Sequence, residues 1–286
     1  MPVARSRPDP PYENRMNSSA SAPDALLEAR ELSIRFGGHT AVDAVSCGFE
    51  IGTLTAIVGP NGAGKTTFFN LLSGQLAPTG GELIFDGQDI TRTKAPRRAQ
   101  MGIGRAFQLT NLFPELSVRE NMWLAASART GAGLAMHRLS SSYSAIADKV
   151  DHYLARVSLA KRADWLAATL PHGDQRKLEV GMLLALEPRV FMFDEPTAGM
   201  SVDEVPVILD LVEDIRAERD KVVLLVEHKM DVVRSLADRI IVLHEGRLLD
   251  SGEPAEVIAS PLVQQAYLGE VVDPEDDTQR ATESST

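Results

Sequence analysis

Gly59-Pro60-Asn61-Gly62-Ala63-Gly64-Lys65-Thr66-Thr67 follows directly on the apolar run Leu54–Val58 and opens a periodic stretch, Thr66–Leu76, that carries Phe68, Phe69, Leu71 and Leu72. The letters fit G-x-x-x-x-G-K-[ST], and the placement matters as much as the pattern. A short buried strand delivers the chain to a glycine-rich turn, and a helix leaves it. The glycines let the backbone wrap closely enough for successive N–H groups to point at phosphate oxygens. In such a loop Lys65 neutralises β- and γ-phosphate charge, and the Thr66 hydroxyl is offered to Mg²⁺. The helix N-terminus adds about half a positive charge at the same place. The stretch reads as a nucleoside-triphosphate site on the strand–loop–helix of an α/β fold.

Composition narrows the class. The chain has 286 residues, 44% of them hydrophobic and 24% charged, enough for a substantial core in one large α/β domain or two modest ones. Its formal charge of −11 argues against a general nucleic-acid surface, which needs clustered Lys and Arg, so no nucleic-acid partner is expected. No apolar stretch approaches the roughly 20 residues needed to cross a bilayer, and the beginning lacks the apolar centre of a secretion signal. A cytoplasmic placement is therefore expected. The single cysteine, Cys47, allows no internal disulfide and reads as a small buried hydrophobe.

Residues 1–24 carry Pro2, Pro8, Pro10, Pro11 and Pro23 beside Asn17-Ser18-Ser19-Ala20-Ser21 and read as a disordered extension. Residues 271–286, with Asp273, Glu275, Asp276, Asp277 and Glu283, read as a disordered acidic tail. Between them, residues 25–270 form the expected domain. Strands are expected at Leu26–Phe36, Val45–Ile51, Leu54–Val58, Glu82–Phe85, Gly104–Phe107, Val190–Phe193, Val222–Val226, Ile240–Leu243 and Arg247–Asp250. The later runs are continuously apolar, as in strands covered on both faces. The early ones alternate and suit an antiparallel sheet beside a parallel core. From Ser117 to about Ala168 strand signals vanish, and Val118–Ala128, Tyr143–Val157 and Lys161–Ala168 read as helices around a Gly131-Ala132-Gly133 turn.

A second element of the site ends the run Arg189-Val190-Phe191-Met192-Phe193-Asp194-Glu195-Pro196. Ligands of open α/β sheets gather at the carboxyl ends of strands. There an Asp such as Asp194 holds Mg²⁺, directly or through water, and the adjacent Glu195 is placed to polarise an attacking water.

Together these segments resemble the ATP-binding subunit of an ABC transporter over roughly residues 26–269. The resemblance also takes in Phe107-Gln108, Leu170-Pro171-His172-Gly173-Asp174-Gln175-Arg176, and Val222–Val226 with Glu227-His228. It implies a P-loop NTPase fold of ABC type, with a mixed β-sheet core, an antiparallel β subdomain and a helical subdomain inserted at about residues 109–175. It further implies ATP and Mg²⁺ as ligands. Gln108 would reach the ion or the attacking water, His228 would contact the γ-phosphate, and Phe36 would stack on adenine. In such cassettes two subunits pack head to tail. The segment containing Leu170, His172, Gly173, Asp174 and Gln175 would then face the nucleotide held by the second ATP-binding subunit, through a helix N-terminus and its free N–H groups.

Two departures stand out against that family. Pro171 and His172 replace the serine and first glycine of the usual L-S-G-G-Q, which removes a hydroxyl worth about 0.5–1.5 kcal/mol and introduces an imidazole that either supplies a substitute donor or points into solvent. After Gly199, Ser201 stands where the family commonly has Asp. It is placed to cap a helix, with Glu204 completing a capping box.

Gly102–Pro114, Glu179-Val180-Gly181-Met182 and Ala198-Gly199-Met200 look most like the importers of branched-chain and other hydrophobic amino acids. The urea and short-amide members of that group are one alternative, and a lipid or lipopolysaccharide exporter ATPase is another. Leu109, Leu112 and Phe113 beside Gln108 form an apolar edge for a helix of a separate membrane permease. The implied setting is the cytoplasmic face of the membrane, with a solute-binding protein acting on the other side. A soluble ABC ATPase of translation or repair would usually show a second module or a long coiled coil, and a small-molecule kinase would not explain the Leu170–Gln175 and His228 segments together.

Overall fold

The computed structural model describes residues 25–106, 112–128, 141–200, 203 and 205–268. In chain order the elements are β1 (Ala25–Phe36), β2 (His39–Glu50), β3 (Leu54–Val58), α1 (Lys65–Ser73), β4 (Gly80–Phe85), β5 (Gln88–Asp89), α2 (Ala95–Met101) and β6 (Ile103–Ala106). There follow α3 (Val118–Ser127), α4 (Ser141–Arg156), α5 (His172–Ala185), β7 (Val190–Asp194), α6 (Val205–Ala217) and β8 (Val222–Val226). The chain closes with α7 (Met230–Leu236), β9 (Arg239–His244), β10 (Arg247–Gly252), α8 (Pro254–Ala259) and α9 (Pro261–Leu268).

The strands form two sheets. One is antiparallel in the order β2-β1-β4-β5; the other runs β10-β9-β3-β8-β7-β6 and is parallel except for β10. The continuous apolar runs now have a physical reason, because alternate residues of each central strand go to different cores. Ile57, Met192, Leu224, Val226, Ile241 and Leu243 pack with α1 and the antiparallel sheet. Ala56, Val58, Phe193, Leu225, Ile240 and Val242 pack on the opposite face with the later helices. Neither face is left for water, so polar alternation disappears from these strands. Cys47 is partly buried against the first core, and burial pushes its thiol up to about 12, which keeps it protonated and inert.

Several boundaries differ from the sequence expectation. The second strand starts at His39 rather than Val45, because a turn at Gly37-Gly38 folds it back on β1 from its first residues. Helix α1 stops at Ser73, short of Leu76: Gly74 takes a left-handed φ of 80° and its N–H bonds back to Leu71 and Asn70. The expected helix over Lys161–Ala168 does not form. Short 3-10 turns occupy Ala160–Arg162 and Ala167–Thr169. The backbone between them is spent across the chain, with Val118 N–H donating to Trp165 C=O, Arg119 N–H to Ala163 C=O, and Ala167 N–H to Leu116 C=O. Those bonds clamp the start of α3, which also carries a Ser117/Glu120 capping box. Local periodicity cannot see such pairing. The expectations for residues 1–24 and 271–286, Phe107, Gln108, Leu109, the Gly131–Gly133 turn, Ser201 and Glu204 lie outside the described residues.

Candidate active site

The phosphate loop sits where β3 ends, wedged between two other strands. At Gly59, φ is 147° and an added Cβ would lie 2.1 Å from the Leu243 carbonyl oxygen. At Gly64, φ is 95° and a Cβ would lie 2.5 Å from the Ala41 carbonyl oxygen. Any side chain at either place would push the loop off β9 or β2, so glycine is required by space as well as by backbone angle. Pro60 and Ala63 are buried, whereas Asn61, Gly62 and Thr66 are exposed and Thr67 is half-buried. Lys65 is buried and folds back along the loop, donating from Nζ to the carbonyl oxygens of Gly59 (2.5 Å) and Pro60 (2.8 Å). Helix α1 begins here with no side-chain cap and no acidic residue in its first turn. Its leading N–H groups and the positive end of its dipole are thus presented to an anion.

Asp194 ends β7 and is fully buried. Its Oδ2 accepts from Arg105 at 2.6 Å, while Oδ1 is buried with no hydrogen-bond partner. Burial pushes this carboxyl up from the ordinary Asp value, and Arg105 offsets part of that rise. A buried carboxylate oxygen without a partner at the carboxyl end of β7, together with an exposed Thr66 at the start of α1, suits a Mg²⁺ ion whose shell is completed by phosphates and water. Among the described residues no three His, Cys, Asp or Glu gather into a metal site made by protein alone.

Glu195 follows with φ at 47°, a left-handed backbone that a non-glycine residue adopts at a cost. The turn is held by Glu195 N–H bonding to Val226 C=O at 2.9 Å, and it brings the carboxylate to the residue after β8 and its neighbour. His228 Nε2 lies 2.6 Å from Glu195 Oε1. With Glu195 ionised, Nε2 carries the hydrogen in that contact. Strand, loop, carboxylates and histidine thus meet at the carboxyl ends of β3, β7 and β8, as open α/β sheets place their ligands.

The profile of the ABC transporter family matches residues 42–198. This chain belongs to the ABC transporter family. A high-affinity branched-chain amino acid transport ATP-binding protein of Pseudomonas aeruginosa is 37% identical over 86% of this chain and 98% of its own length. One of Escherichia coli with the same description is 36% identical over 86% of this chain and 98% of its own length. A nucleotide-free ATP-binding cassette from an ABC transporter superposes with a TM-score of 0.73 at 26% identity, covering 86% of this chain and 100% of that one. The ABC cassette architecture, with its mixed core sheet, antiparallel β region and helical region, is as the resemblance implied.

The remaining residues that the sequence marks as candidates divide by what they touch. Phe36 ends β1 with about half its surface exposed (49%), so it is no core residue and its ring is open to a planar ligand. Helix α5 starts at His172, with Pro171 as N-cap, no side-chain cap bond, and Gly173 buried in its first turn. His172 itself is exposed, and a Cβ at Gly199 would sit 3.6 Å from its Cε1, so the ring lies beside the turn that follows the carboxylates. Leu170 is buried in the core. Asp174 is also buried, its carboxylate paired with Lys177 at 2.9 Å and with Arg162. Gln175 donates from Nε2 to the Leu170 carbonyl at 3.0 Å. The side chains of Leu170, Asp174 and Gln175 are therefore engaged within their own chain. The backbone of the first turn and His172 are what this helix end offers outward.

Three further groups hold the site together. Buried Arg176 donates to the carbonyls of Pro196 (3.2 Å) and Glu195 (3.3 Å) and pairs with Glu179 at 2.8 Å, fastening α5 to the carboxylate turn. Buried Glu227 accepts from Thr197 Oγ1 at 2.8 Å through Oε1 and from the His228 N–H at 3.0 Å through Oε2. Arg105 clamps Asp194 as described. The contacts that join separate elements, Arg105 to Asp194, Thr197 to Glu227 and Arg176 to the carbonyls of Glu195 and Pro196, lie 19 to 89 residues apart, whereas Arg176–Glu179 and Glu227–His228 are local.

Proposed function

We propose that this cassette hydrolyses ATP to drive import of branched-chain or related hydrophobic amino acids through a separate membrane permease. The observation that carries the hydrolytic part is the 2.6 Å Glu195–His228 contact at the carboxyl ends of β7 and β8. Glu195 is placed to take a proton from the attacking water, and His228 holds that carboxylate in position and reaches toward the γ-phosphate. Lys65 exchanges its two loop carbonyls for phosphate oxygens. Thr66, Asp194 and Gln108 are the residues that would hold Mg²⁺, which supplies charge neutralisation on the phosphates when bound. Phe36 packs on the adenine ring.

Two subunits act head to tail, as a homodimer or with a sister ATPase. In that arrangement the first turn of α5, with Gly173 and His172, faces the partner's nucleotide as an uncapped helix N-terminus. The setting is the cytoplasmic face of the membrane. No helix among the described residues is long and apolar enough to cross it. Phe113 supports the docking reading. Its ring is half exposed (50%), while its backbone is held rigidly by Asn121, which accepts from Phe113 N–H at 2.8 Å and donates to its C=O at 3.0 Å. An exposed aromatic on a fixed loop loses little entropy on docking a helix.

The amino-acid part rests on likeness to the two transport proteins. It is tested by affinity purification of the tagged chain from its own membranes, followed by identification of co-purifying subunits and ligand titration of the associated solute-binding protein. Recovery of a permease whose solute-binding protein takes leucine, isoleucine or valine is expected. Recovery of an exporter permease, or a solute-binding protein selective for urea or short amides, refutes the assignment.

A further inference from the structure

We propose that Arg105 is a positioning residue for the metal-binding carboxylate. By occupying Oδ2 of Asp194 it leaves Oδ1 alone to face the ion, and it ties that carboxylate to the helix that follows the phosphate loop. Arg105 lies on β6, in register with Met192 of β7, and its side chain and that of Asp194 are both almost fully buried (7% and 0% exposed). One guanidinium nitrogen donates to Asp194 Oδ2 at 2.6 Å. The other donates to Asn70 Oδ1 at 2.6 Å and Ser73 Oγ at 3.1 Å, both on α1. The guanidinium also sits 5.0 Å from the centre of the Phe69 ring. Asn70 is one helical turn beyond Thr66, so the same α1 face carries the hydroxyl offered to the ion and the amide that anchors Arg105.

Stability alone does not account for this pair. Taking two charges out of water is costly, and an apolar pair of similar volume is often as stable. What a planar, forked cation adds is orientation: it fixes one carboxylate oxygen and one α1 amide at the same time, which a lysine ammonium cannot do. Nor is Arg105 placed as a mere stand-in for the ion. Besides Asp194 Oδ2 it has two acceptors on α1 and the Phe69 ring to keep it in place, while Oδ1 remains buried and unpartnered. Arg105 thus stays in place when the ion arrives, as an outer partner that orients a metal ligand.

The inference rests on the reading that Asp194 serves the nucleotide's Mg²⁺, and the test separates the two. Binding of the non-hydrolysable analogue adenylyl imidodiphosphate to the full chain is measured by calorimetry in EDTA and in excess MgCl₂. The ratio of the two affinities is the Mg²⁺ enhancement. In Arg105→Met, affinity in EDTA should stay within about twofold of wild type while the enhancement falls about tenfold, the usual effect of losing an outer partner. An enhancement that is unchanged or larger overturns the proposal, the larger value making Arg105 a competitor of the ion. Equal loss with and without Mg²⁺ overturns it too, since that is what a purely structural role predicts. If Arg105→Met does not fold, Arg105→Lys decides: a reduced enhancement supports the positioning role and an unchanged one refutes it. Asp194→Asn serves as reference. If it retains the full enhancement, the metal reading itself fails, and the role of Arg105 with it.

Discussion

Replacing Thr197 with valine removes one hydroxyl and leaves the side-chain shape intact, which isolates a single bond at the centre of the site. Thr197 and Glu227 are both buried (3% and 4% exposed), and the hydroxyl meets the carboxylate at 2.8 Å. A hydrogen bond to a charged, buried acceptor contributes about 1.5–3 kcal/mol, because its loss leaves a carboxylate oxygen desolvated and unsatisfied. At about 2–4 °C per kcal/mol for a domain of this size, Thr197→Val should lower the melting temperature by roughly 3–12 °C. The functional effect follows from what Glu227 does with its other oxygen. It accepts from the His228 N–H at 3.0 Å and so joins the turn after β7 to the turn after β8. Loosening that staple frees His228 relative to Glu195, and turnover should fall about tenfold, equivalent to about 1.4 kcal/mol of lost transition-state stabilisation. Thermal melts of the purified chain and phosphate release by the assembled transporter measure the two effects. Thr197→Ser, which keeps the hydroxyl and loses only a methyl group, should recover most of the turnover. If valine matches wild type in both assays, or serine is as damaging as valine, the staple is not what positions His228.

Three other outcomes follow from the same geometry. Gly181 lies where α5 crosses its neighbours, and a Cβ there would meet Met122 Cε at 2.7 Å and Val157 Cγ1 at 3.1 Å, both residues fully buried. Overpacking of about 1–3 kcal/mol should outweigh the ~1 kcal/mol that alanine gains in helix propensity, so Gly181→Ala should melt lower, and a higher melting temperature would disprove the tight crossing. Asp238 accepts from Arg216 at 2.7 Å and from the Leu54 N–H at 2.8 Å; burial raises its pKa, but these partners prevail and leave it below the ordinary Asp value. A depressed folded pKa stabilises above the unfolded value of ~3.9 and is lost as pH falls through the folded one. Asp238→Asn should therefore cost about 1–2 kcal/mol at pH 7 in urea melts and converge on wild type at strongly acid pH; a penalty that does not shrink on acidification contradicts this. His172→Ala should reduce ATP turnover of the assembled complex by roughly two- to tenfold, the worth of one neutral donor, and an unaltered rate would remove His172 from the partner's nucleotide site.

What could be read from the chain was whatever neighbouring residues decide among themselves. The phosphate loop is nine consecutive residues between a strand and a helix, so its glycines, Lys65 and Thr66 were visible as a unit. The central strands announced burial on both faces through unbroken apolar runs. The capping box of Ser117 and Glu120, by contrast, is decided by the tertiary structure, because a capping pattern is common and its use depends on where the chain goes next. The segment 161–168 shows the limit most plainly. Its side-chain pattern allowed a helix, and its backbone instead donated and accepted across to residues 114–119.

Local order along the chain sets the chemistry offered at the strand ends: a loop for phosphates, two carboxylates, a histidine. Folding decided which of those groups are free and which are held. Asp194 and Arg105 are 89 residues apart and Thr197 and Glu227 are 30 apart, yet each pair shares one buried bond. Asp174, which read as part of a ligand-facing motif, is turned inward to Arg162 and Lys177. The reason is that a buried charge must find a partner wherever the packing brings one; for the Arg105–Asp194 and Thr197–Glu227 pairs, which partner is near is set by the register of β6 against β7 and β7 against β8. No spacing along the chain encodes that register; only the closed sheet does.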